Sequence, residues 1–371
     1  MNASDHIYVH VPFCNEKCAY CAFYSERIDP GEAHRYLDAV ERELDELSDA
    51  AAPLTIYFGG GTPSILDTIG LARLCDALLR RVSTDRLVEW TVEANPGTLP
   101  DDKIKMLREM GVNRISLGAQ TFNDAVLERI GRHHDAADIG RTLHAVRAGE
   151  IDNVGLDLIA CLPGMSHAAW RSTLSAAVQL EPDHVSAYAL SIESDSAFGR
   201  NGVTEPTDGA TLSAIEAAED ILAASGYRRY EISNYAKTGR ECTHNLSCWR
   251  GEDYLGFGPA AASRSGLRRW TNRPDTDAYS DALARGDPPP RAEEKLSVRS
   301  DAAERLVFAF RLSEGVPTDS LQHADAELAA HWFGTLERLA GERLVENSSG
   351  RWRLTRRGRT LADHIAGELL L

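Results

Sequence analysis

Six short apolar runs recur along the first two-thirds of the chain, and each is followed by a stretch with helical spacing. The runs cover residues 7–13, 55–58, 88–93, 113–118, 154–159 and 185–190. The helical stretches between them include residues 32–47 and 66–81. Strands that alternate with helices form parallel sheets with right-handed crossovers. The sequence therefore predicts an α/β fold, a partial TIM-like (β/α)6 barrel with its functional groups at the carboxyl ends of the strands.

Three cysteines directly follow the first predicted strand, in the run HVPFCNEKCAYC. Cys14, Cys18 and Cys21 are separated by four and three residues. Thiolates bind zinc and iron-sulfur clusters, and three of them on a [4Fe-4S] cluster leave one iron open to a small molecule. The alternatives are a zinc site completed by His10, an incomplete disulfide set, or three small core residues. The position after a strand favours the cluster, because this end of a barrel carries the chemistry.

Polar and glycine signals lie at the ends of later strands. The run TIYFGGGTP at residues 55–63 leaves bare backbone that a ligand can approach, although three glycines also suit a simple turn. Glu93, Gln120 and Asp157 end or occupy three consecutive strands. Each has an ordinary alternative, respectively a helix cap, a residue that satisfies loop amides, and half of an ion pair. Their shared position predicts a binding site at one end of the barrel.

Composition places limits on the type of protein. A chain of 371 residues with 43% hydrophobic residues is long enough for two or three domains, and no apolar run is long enough to span a bilayer. The seven cysteines are odd in number, which favours thiols or metal ligands in a reducing compartment. We therefore expect a cytoplasmic protein that is sensitive to oxygen. A net charge of -16 disfavours binding to nucleic acid.

The last part of the chain predicts a separate domain. The run GDPPP at 286–290 interrupts regular structure. Beyond it, 302–312 and 326–339 have helical periodicity, and 345–354 reads as a hairpin, an order like that of a winged-helix domain. We expect a barrel at 1–235, a connecting segment at 236–290 and this mainly helical domain at 291–371. Five arginines between 351 and 359 suggest DNA binding, but 13 acidic and 11 basic residues from Glu293 onward argue against it.

The ordered series YVHVPFCNEKCAYC, YFGGGTP, VEANP, LGAQTFN, GRHH, GLDLIACLPG and HNLSCW resembles one known family. It is similar to the radical S-adenosylmethionine proteins of the oxygen-independent coproporphyrinogen oxidase group, over most of the chain. The resemblance implies a radical S-adenosylmethionine barrel with a [4Fe-4S] cluster on Cys14, Cys18 and Cys21. The open iron would take the amino and carboxylate groups of S-adenosylmethionine. The residues that match the family's cofactor contacts are Tyr8, Tyr20, Gly60, Gly61, Thr62, Glu93, Gln120, Arg132 and Asp157. Arg132 also has an ordinary alternative, that of a solvated arginine on a surface loop beside two histidines.

The family contains two functions. One branch decarboxylates propionates of coproporphyrinogen III, and the other, the HemW-type heme chaperones, binds heme and delivers it to recipients such as respiratory proteins. The oxidase branch carries a further cysteine two residues after the third ligand, where this chain has Phe23, and a longer arm before the motif. Both differences favour the chaperone branch, with a radical enzyme on another substrate as a third possibility. Whether S-adenosylmethionine is cleaved stays open.

The motif HNLSCW at 244–249 resembles the chaperone pattern H-N-x-x-Y-W. His244 is a candidate ligand to heme iron, since imidazole is a common axial ligand. Cys248 stands in the tyrosine position, and a thiolate also ligates heme iron. A histidine in such a loop is more often a hydrogen-bonding residue. Ala262 is a second departure, because the family usually has a histidine there.

Overall fold

A sheet of nine strands forms the centre of the computed structural model, which describes residues 4–47 and 51–370. Six of these strands are parallel neighbours in chain order: β1 His6–Val11, β2 Thr55–Gly60, β3 Glu89–Ala94, β4 Arg114–Gln120, β5 Asn153–Ala160 and β6 His184–Ala189. Each overlaps its predicted run. The prediction of a parallel (β/α)6 core is therefore confirmed.

The two edges of the sheet contain strands that the sequence did not predict. Leu255–Phe257 pairs in parallel with β1, although it lies more than 240 residues later in the chain. Asn234–Ala236 pairs antiparallel with β6, and Arg228–Arg229 pairs antiparallel with that strand. Strands of two or three residues carry too little alternation to be read from sequence. The predicted division of the chain at residues 235 and 290 stays a prediction, and its residues 1–3, 48–50 and 371 lie outside the described residues.

The first predicted strand is interrupted at Pro12. Beyond β1, Phe13–Cys14 leaves the main sheet and pairs with Glu26–Arg27. Proline has no backbone N–H for a ladder, whereas its carbonyl still accepts a bond of 2.7 Å from the Glu26 N–H. The break turns the chain towards the centre of the barrel mouth, where the cysteines follow.

Helices cover the outer face of the sheet. Those of the barrel are Pro30–Leu44, Thr68–Leu79, Asp101–Glu109, Asp124–Arg129, Ala136–Ala148, His167–Gln179, Ala197–Arg200 and Asp208–Ala224. The next two along the chain are Thr243–Trp249 and Thr276–Ala284. Side-chain caps such as that of Asp29, which precedes a proline in the first turn, define their starts. Among the described helices, none is both long and apolar enough to cross a membrane.

The two faces of the barrel strands differ in polarity. Alternate residues such as Ile7, Val9, Ile56 and Phe58 are fully buried in the core beneath the helices. The residues between them face the barrel interior and are largely polar. Successive side chains of a strand point to opposite faces. The apolar side chains therefore pack against the helices, and the polar side chains point into the barrel interior.

The C-terminal region has its own hydrophobic core, which includes Trp332 and Leu336. Its helices are Val298–Phe310, Ala326–Gly341, Arg356–Arg359 and Ala362–Leu369. Val345–Ser348 and Arg351–Leu354 form the predicted hairpin, and the two-residue strand Val316–Pro317 completes its sheet. A further three-stranded sheet, Ala262–Ser265, Arg268–Asn272 and Arg291–Lys295, precedes this region.

Part of the basic cluster at residues 351–359 faces the barrel. Arg359 donates to Glu219 at 2.6 Å, and Arg356 donates to Asp220 at 2.8 Å. Arg229 also donates to Glu219, at 3.1 Å. Arg356 and Arg359 therefore hold the C-terminal region against the helix Asp208–Ala224, and Arg229 of the sheet edge shares Glu219 with Arg359.

Candidate functional site

A cavity of about 450 Å³ opens at the carboxyl ends of the barrel strands. All three motif cysteines line it, and each thiol is partly exposed. The loop that carries them is tightened by a bond of 3.0 Å from the Cys21 N–H to the Cys18 carbonyl. In the described part of the chain, no set of three or more His, Cys, Asp or Glu side chains is gathered closely enough to hold a metal ion. The thiols instead stand around the mouth of one shared cavity.

The glycine-rich turn after β2 passes close to the start of the cysteine loop. A Cβ atom at Gly61 would lie 2.5 Å from the carbonyl oxygen of Phe13, and one at Gly60 would lie 2.6 Å from the ring of His10. Gly60 also has a φ of +105°, which strongly favours glycine. Gly61 is thus required for close approach of two backbone segments, and Gly60 leaves room for the His10 ring. This packing brings Thr62 to 3.5 Å from the sulfur of Cys14.

A hydrogen-bonded chain joins this turn to the far side of the cavity. Asn95 donates to Thr62 at 3.1 Å, and Arg132 donates to Asn95 at 2.6 Å and to the hydroxyl of Tyr20 at 3.0 Å. Burial raises the pKa of Tyr20, which keeps its hydroxyl protonated. The Nε of Arg132 is buried and has no partner. Arg132 is therefore not a freely solvated surface residue: its two terminal nitrogens bond Asn95 and Tyr20, and its side chain lines the cavity.

Two carboxyl groups lie deeper in the same cavity. Glu93 accepts a bond of 2.7 Å from Tyr57, and Asp157 accepts bonds of 3.0 Å from Ser116 and 2.6 Å from Ser186. Burial raises the pKa of Glu93 to about 7, opposed by the bond from Tyr57 and reinforced by the charge of Asp157. Burial raises the pKa of Asp157 as well. Neither residue caps a helix or forms an ion pair in the described structure, so their ordinary alternatives are not supported.

The other predicted cofactor contacts lie as follows. Gln120 is buried, lines the cavity and has a φ of 61°, a conformation that marks a constrained position. Tyr8 does not line the cavity. Its ring stacks on Tyr57 with centroids 6.1 Å apart, and its hydroxyl lies 3.1 Å from Nδ1 of His10. The structure thus gathers every predicted cluster and cofactor residue except Tyr8 around one cavity.

Several residues of the lower cavity were not predicted. Arg114 is only 1% exposed, and its guanidinium donates a long bond of 3.4 Å to Thr91. His184 donates or accepts at 2.8 Å with Tyr230 through Nε2, while its Nδ1 is buried without a partner. The sequence did contain a signal for these residues, because polar residues recur at about every second position of β3 to β6. In a closed barrel that alternation marks the interior face of the strands and not a face exposed to solvent.

The motif HNLSCW forms the short helix Thr243–Trp249, termed here the motif helix. It lies at the amino ends of the strands, opposite the cysteines. Glu89, the first residue of β3, accepts bonds of 2.8 Å from the Thr243 N–H and 3.0 Å from the His244 N–H. Asn245 reaches the lower end of the cavity, whereas Trp249 contacts Arg311 of the C-terminal region, with 4.6 Å from guanidinium to ring centroid.

The two candidate heme ligands are separate from the cysteine loop. His244 is 5% exposed, and its Nδ1 lies 2.8 Å from the hydroxyl of Thr55. Burial, with His6 and Arg114 nearby, lowers the pKa of His244 to about 3, so its imidazole is neutral. Burial also raises the pKa of Cys248 to about 11, which disfavours a thiolate there. Of the two, the neutral imidazole is the better ligand in its present protonation state.

Comparisons with known proteins agree with this architecture. A model of the radical SAM superfamily matches residues 8–177, and one of the HemN C-terminal domain matches residues 296–361. The chain is 33% identical to the heme chaperone HemW of Bacillus subtilis over 98% of both chains. It is 37% identical to that of Escherichia coli over 69% of this chain and 68% of the relative.

A solved structure shows the same fold. Coproporphyrinogen III oxidase (HemN) from Escherichia coli, a radical SAM enzyme, superposes with a TM-score of 0.83 over 99% of this chain and 90% of its own. The two sequences are 24% identical, so this likeness concerns the fold alone.

Proposed function

Since the chain belongs to the HemW family of radical SAM proteins, we propose that it binds a [4Fe-4S] cluster and S-adenosylmethionine in the barrel cavity and transfers heme to recipient proteins. The observation that carries the first half is the convergence of Cys14, Cys18 and Cys21 with the predicted cofactor contacts on one cavity. Its volume of about 450 Å³ is within the range of small-molecule sites.

The donor set fits these groups. Three partly exposed thiols supply the ligands that iron-sulfur clusters use, and the open iron can then accept a second ligand. When bound, the cluster and S-adenosylmethionine supply one-electron chemistry at that iron. Arg132 and Glu93 both line the cavity, and we propose that the guanidinium binds a carboxylate and that the carboxyl group binds an ammonium group.

Phe23 supports the chaperone over the oxidase. It stands at the position of the oxidase's additional cysteine and lines the rim of the cavity with 72% of its surface exposed. A carrier must present heme to another protein, and the proposed recipient is a respiratory protein. His244 is the proposed ligand to heme iron, because its imidazole is neutral.

Cluster binding is tested by anaerobic reconstitution with iron and sulfide. We expect the reconstituted wild type to show the visible absorbance of a [4Fe-4S] cluster, and we expect Cys18→Ala to lack it. Cys161→Ala is the matched control, because Cys161 is another partly exposed thiol and does not line the cavity. A full cluster in Cys18→Ala would contradict the ligand assignment.

Heme binding is tested by titration with heme and measurement of the Soret band. We expect a saturable shift that is weakened in His244→Ala. A shift of the same size and affinity in that variant would place heme elsewhere. An anaerobic assay with coproporphyrinogen III completes the comparison, since turnover to protoporphyrinogen would assign the chain to the oxidase.

A further inference from the structure

We infer that Tyr57 is a positioning residue that couples the S-adenosylmethionine cavity to His244, so that occupancy of the cavity weakens heme binding at the motif helix. This inference rests on the proposed function, because it concerns communication between its two sites. Tyr57 contacts Glu93 of the cavity and His244 of the motif helix.

The strand register places three layers of side chains one above another. His6 of β1 pairs with Thr55 of β2, and Tyr8 pairs with Tyr57 two residues further on. Residues two apart on a strand share a face. Thr55 is therefore in the layer of the motif helix, Tyr57 is in the middle layer, where it lines the lower end of the cavity, and Glu93 is in the next layer of the cavity.

Tyr57 is in direct contact with the layers above and below it. Its hydroxyl donates to Glu93 at 2.7 Å, and its ring centroid lies 5.1 Å from that of His244, with 32° between the planes. The ring also stacks on Tyr8. One side chain thus joins a carboxyl group of the cavity to the candidate heme ligand without an intervening residue.

His244 is held in a position that does not allow it to ligate heme. Thr55 bonds its Nδ1 at 2.8 Å and bonds Nδ1 of His6 at 2.9 Å, while His6 bonds Glu252 at 2.8 Å. With 5% of its surface exposed, His244 has to leave the face of Tyr57 before a macrocycle can reach it. Heme binding therefore requires a second, released arrangement of this side chain, in addition to the held arrangement of the structure.

The sign of the coupling follows from charge. S-adenosylmethionine carries a sulfonium and an ammonium group, and a cation beside Glu93 stabilises its carboxylate. A carboxylate accepts a stronger hydrogen bond from Tyr57 than a neutral carboxyl does. The tyrosine is then fixed more firmly against His244, which favours the held arrangement. Binding free energies are reciprocal, so heme must weaken S-adenosylmethionine binding by the same factor.

The test uses the full chain with its cluster reconstituted, and heme affinity is measured with and without saturating S-adenosylmethionine. We expect a wild-type affinity about 5-fold weaker with S-adenosylmethionine, the lower end of usual couplings, and a ratio near one in Tyr57→Phe. The substitution keeps the ring on His244 and removes only the bond to Glu93. Tyr36→Phe is the matched control, because this buried tyrosine donates to the His10 carbonyl and does not contact His244. Equal ratios in wild type and Tyr57→Phe would overturn the inference.

A second readout separates this inference from the proposed function. Diethyl pyrocarbonate modifies accessible imidazoles, and the site can be identified by mass spectrometry of the peptide that contains His244. We expect S-adenosylmethionine to slow modification of His244 in wild type and in Tyr36→Phe, but not in Tyr57→Phe. This result would support the coupling even if heme did not bind. Slowing of equal size in all three proteins would contradict it even if heme did.

Discussion

Arg132 donates a hydrogen bond of 3.0 Å to the hydroxyl of Tyr20 and thereby joins the cysteine loop to a residue 112 positions later. The same guanidinium donates to Asn95 at 2.6 Å. Asn95 in turn contacts Thr62, beside Cys14. Two loops and the glycine turn are therefore fixed relative to one another around the cavity mouth.

Arg132→Lys should weaken S-adenosylmethionine binding about 10-fold, since a lysine keeps the charge but lacks the planar guanidinium, whose two terminal nitrogens bond Asn95 and Tyr20 and whose fork suits a carboxylate. Calorimetric titration of the reconstituted protein measures this. Arg141→Lys is the control, because Arg141 is an exposed arginine that bonds Asp138 on its own helix. Unchanged affinity in Arg132→Lys would exclude Arg132 from the cofactor site.

The position of the cavity could be predicted because strand ends are visible in sequence. Glu93, Gln120 and Asp157 follow or occupy apolar runs, and parallel strands bring their carboxyl ends to one edge. Arg114 and His184 also line the cavity, but this reasoning did not identify them, because they lie at the beginnings of their strands. A polar residue inside a strand usually faces solvent, and only the curvature of the sheet turns that face inward.

The position of the motif helix could not be predicted, because it depends on contacts between distant residues. Its N-terminus is bound by Glu89, which lies 155 positions before His244. Nothing in HNLSCW itself specifies which end of the barrel it covers. Likewise, Arg132 bonds Tyr20 and Asn95, which lie 112 and 37 positions earlier, and nothing in the run GRHH specifies these partners.

Glu89→Gln should loosen the motif helix. The carboxylate accepts the N–H groups of Thr243 and His244, and a short helix has few other partners for these donors. We expect a loss of about 1–3 kcal/mol, as for other buried charged hydrogen bonds. Hydrogen exchange should accelerate in the Thr243–Trp249 peptide. Glu241→Gln, two residues before the helix, is the control, and equal exchange in the two variants would argue against the role of Glu89.

Arg359→Gln should weaken the contact between the C-terminal region and the barrel. Arg359 is half-buried and bonds Glu219 at 2.6 Å, while Arg229 still bonds that carboxylate in the variant. We expect a cost of about 1 kcal/mol in denaturant unfolding of the full chain. The control is Arg357→Gln, because Arg357 is an exposed residue of the same short helix. This substitution should change the free energy of unfolding by less than about 0.5 kcal/mol. Equal losses of stability in the two variants would mean that Arg359 contributes only its positive charge and not a specific bond to Glu219.

The buried carboxyl of Glu43 should make stability depend on pH. It accepts bonds of 2.7 Å from Tyr279 and from the Gly258 N–H, and one of 2.8 Å from Asn272, while burial raises its pKa to about 7 from 4.5. A group whose pKa is higher in the folded state stabilises the fold fully below its unfolded pKa, and this contribution is lost as pH rises through the folded pKa.

The stabilisation from Glu43 should therefore be lost between pH 4.5 and about 7. Glu43→Gln should lack this dependence, so the wild type should lose on the order of 2–3 kcal/mol relative to the variant across the window. Denaturant unfolding of both proteins at half-unit pH steps measures the difference. Glu128→Gln, an exposed carboxylate on the separate helix Asp124–Arg129, is the control for general charge effects. Parallel curves for wild type and Glu43→Gln would show that Glu43 does not titrate in this range, and hence that its three donors hold it ionised.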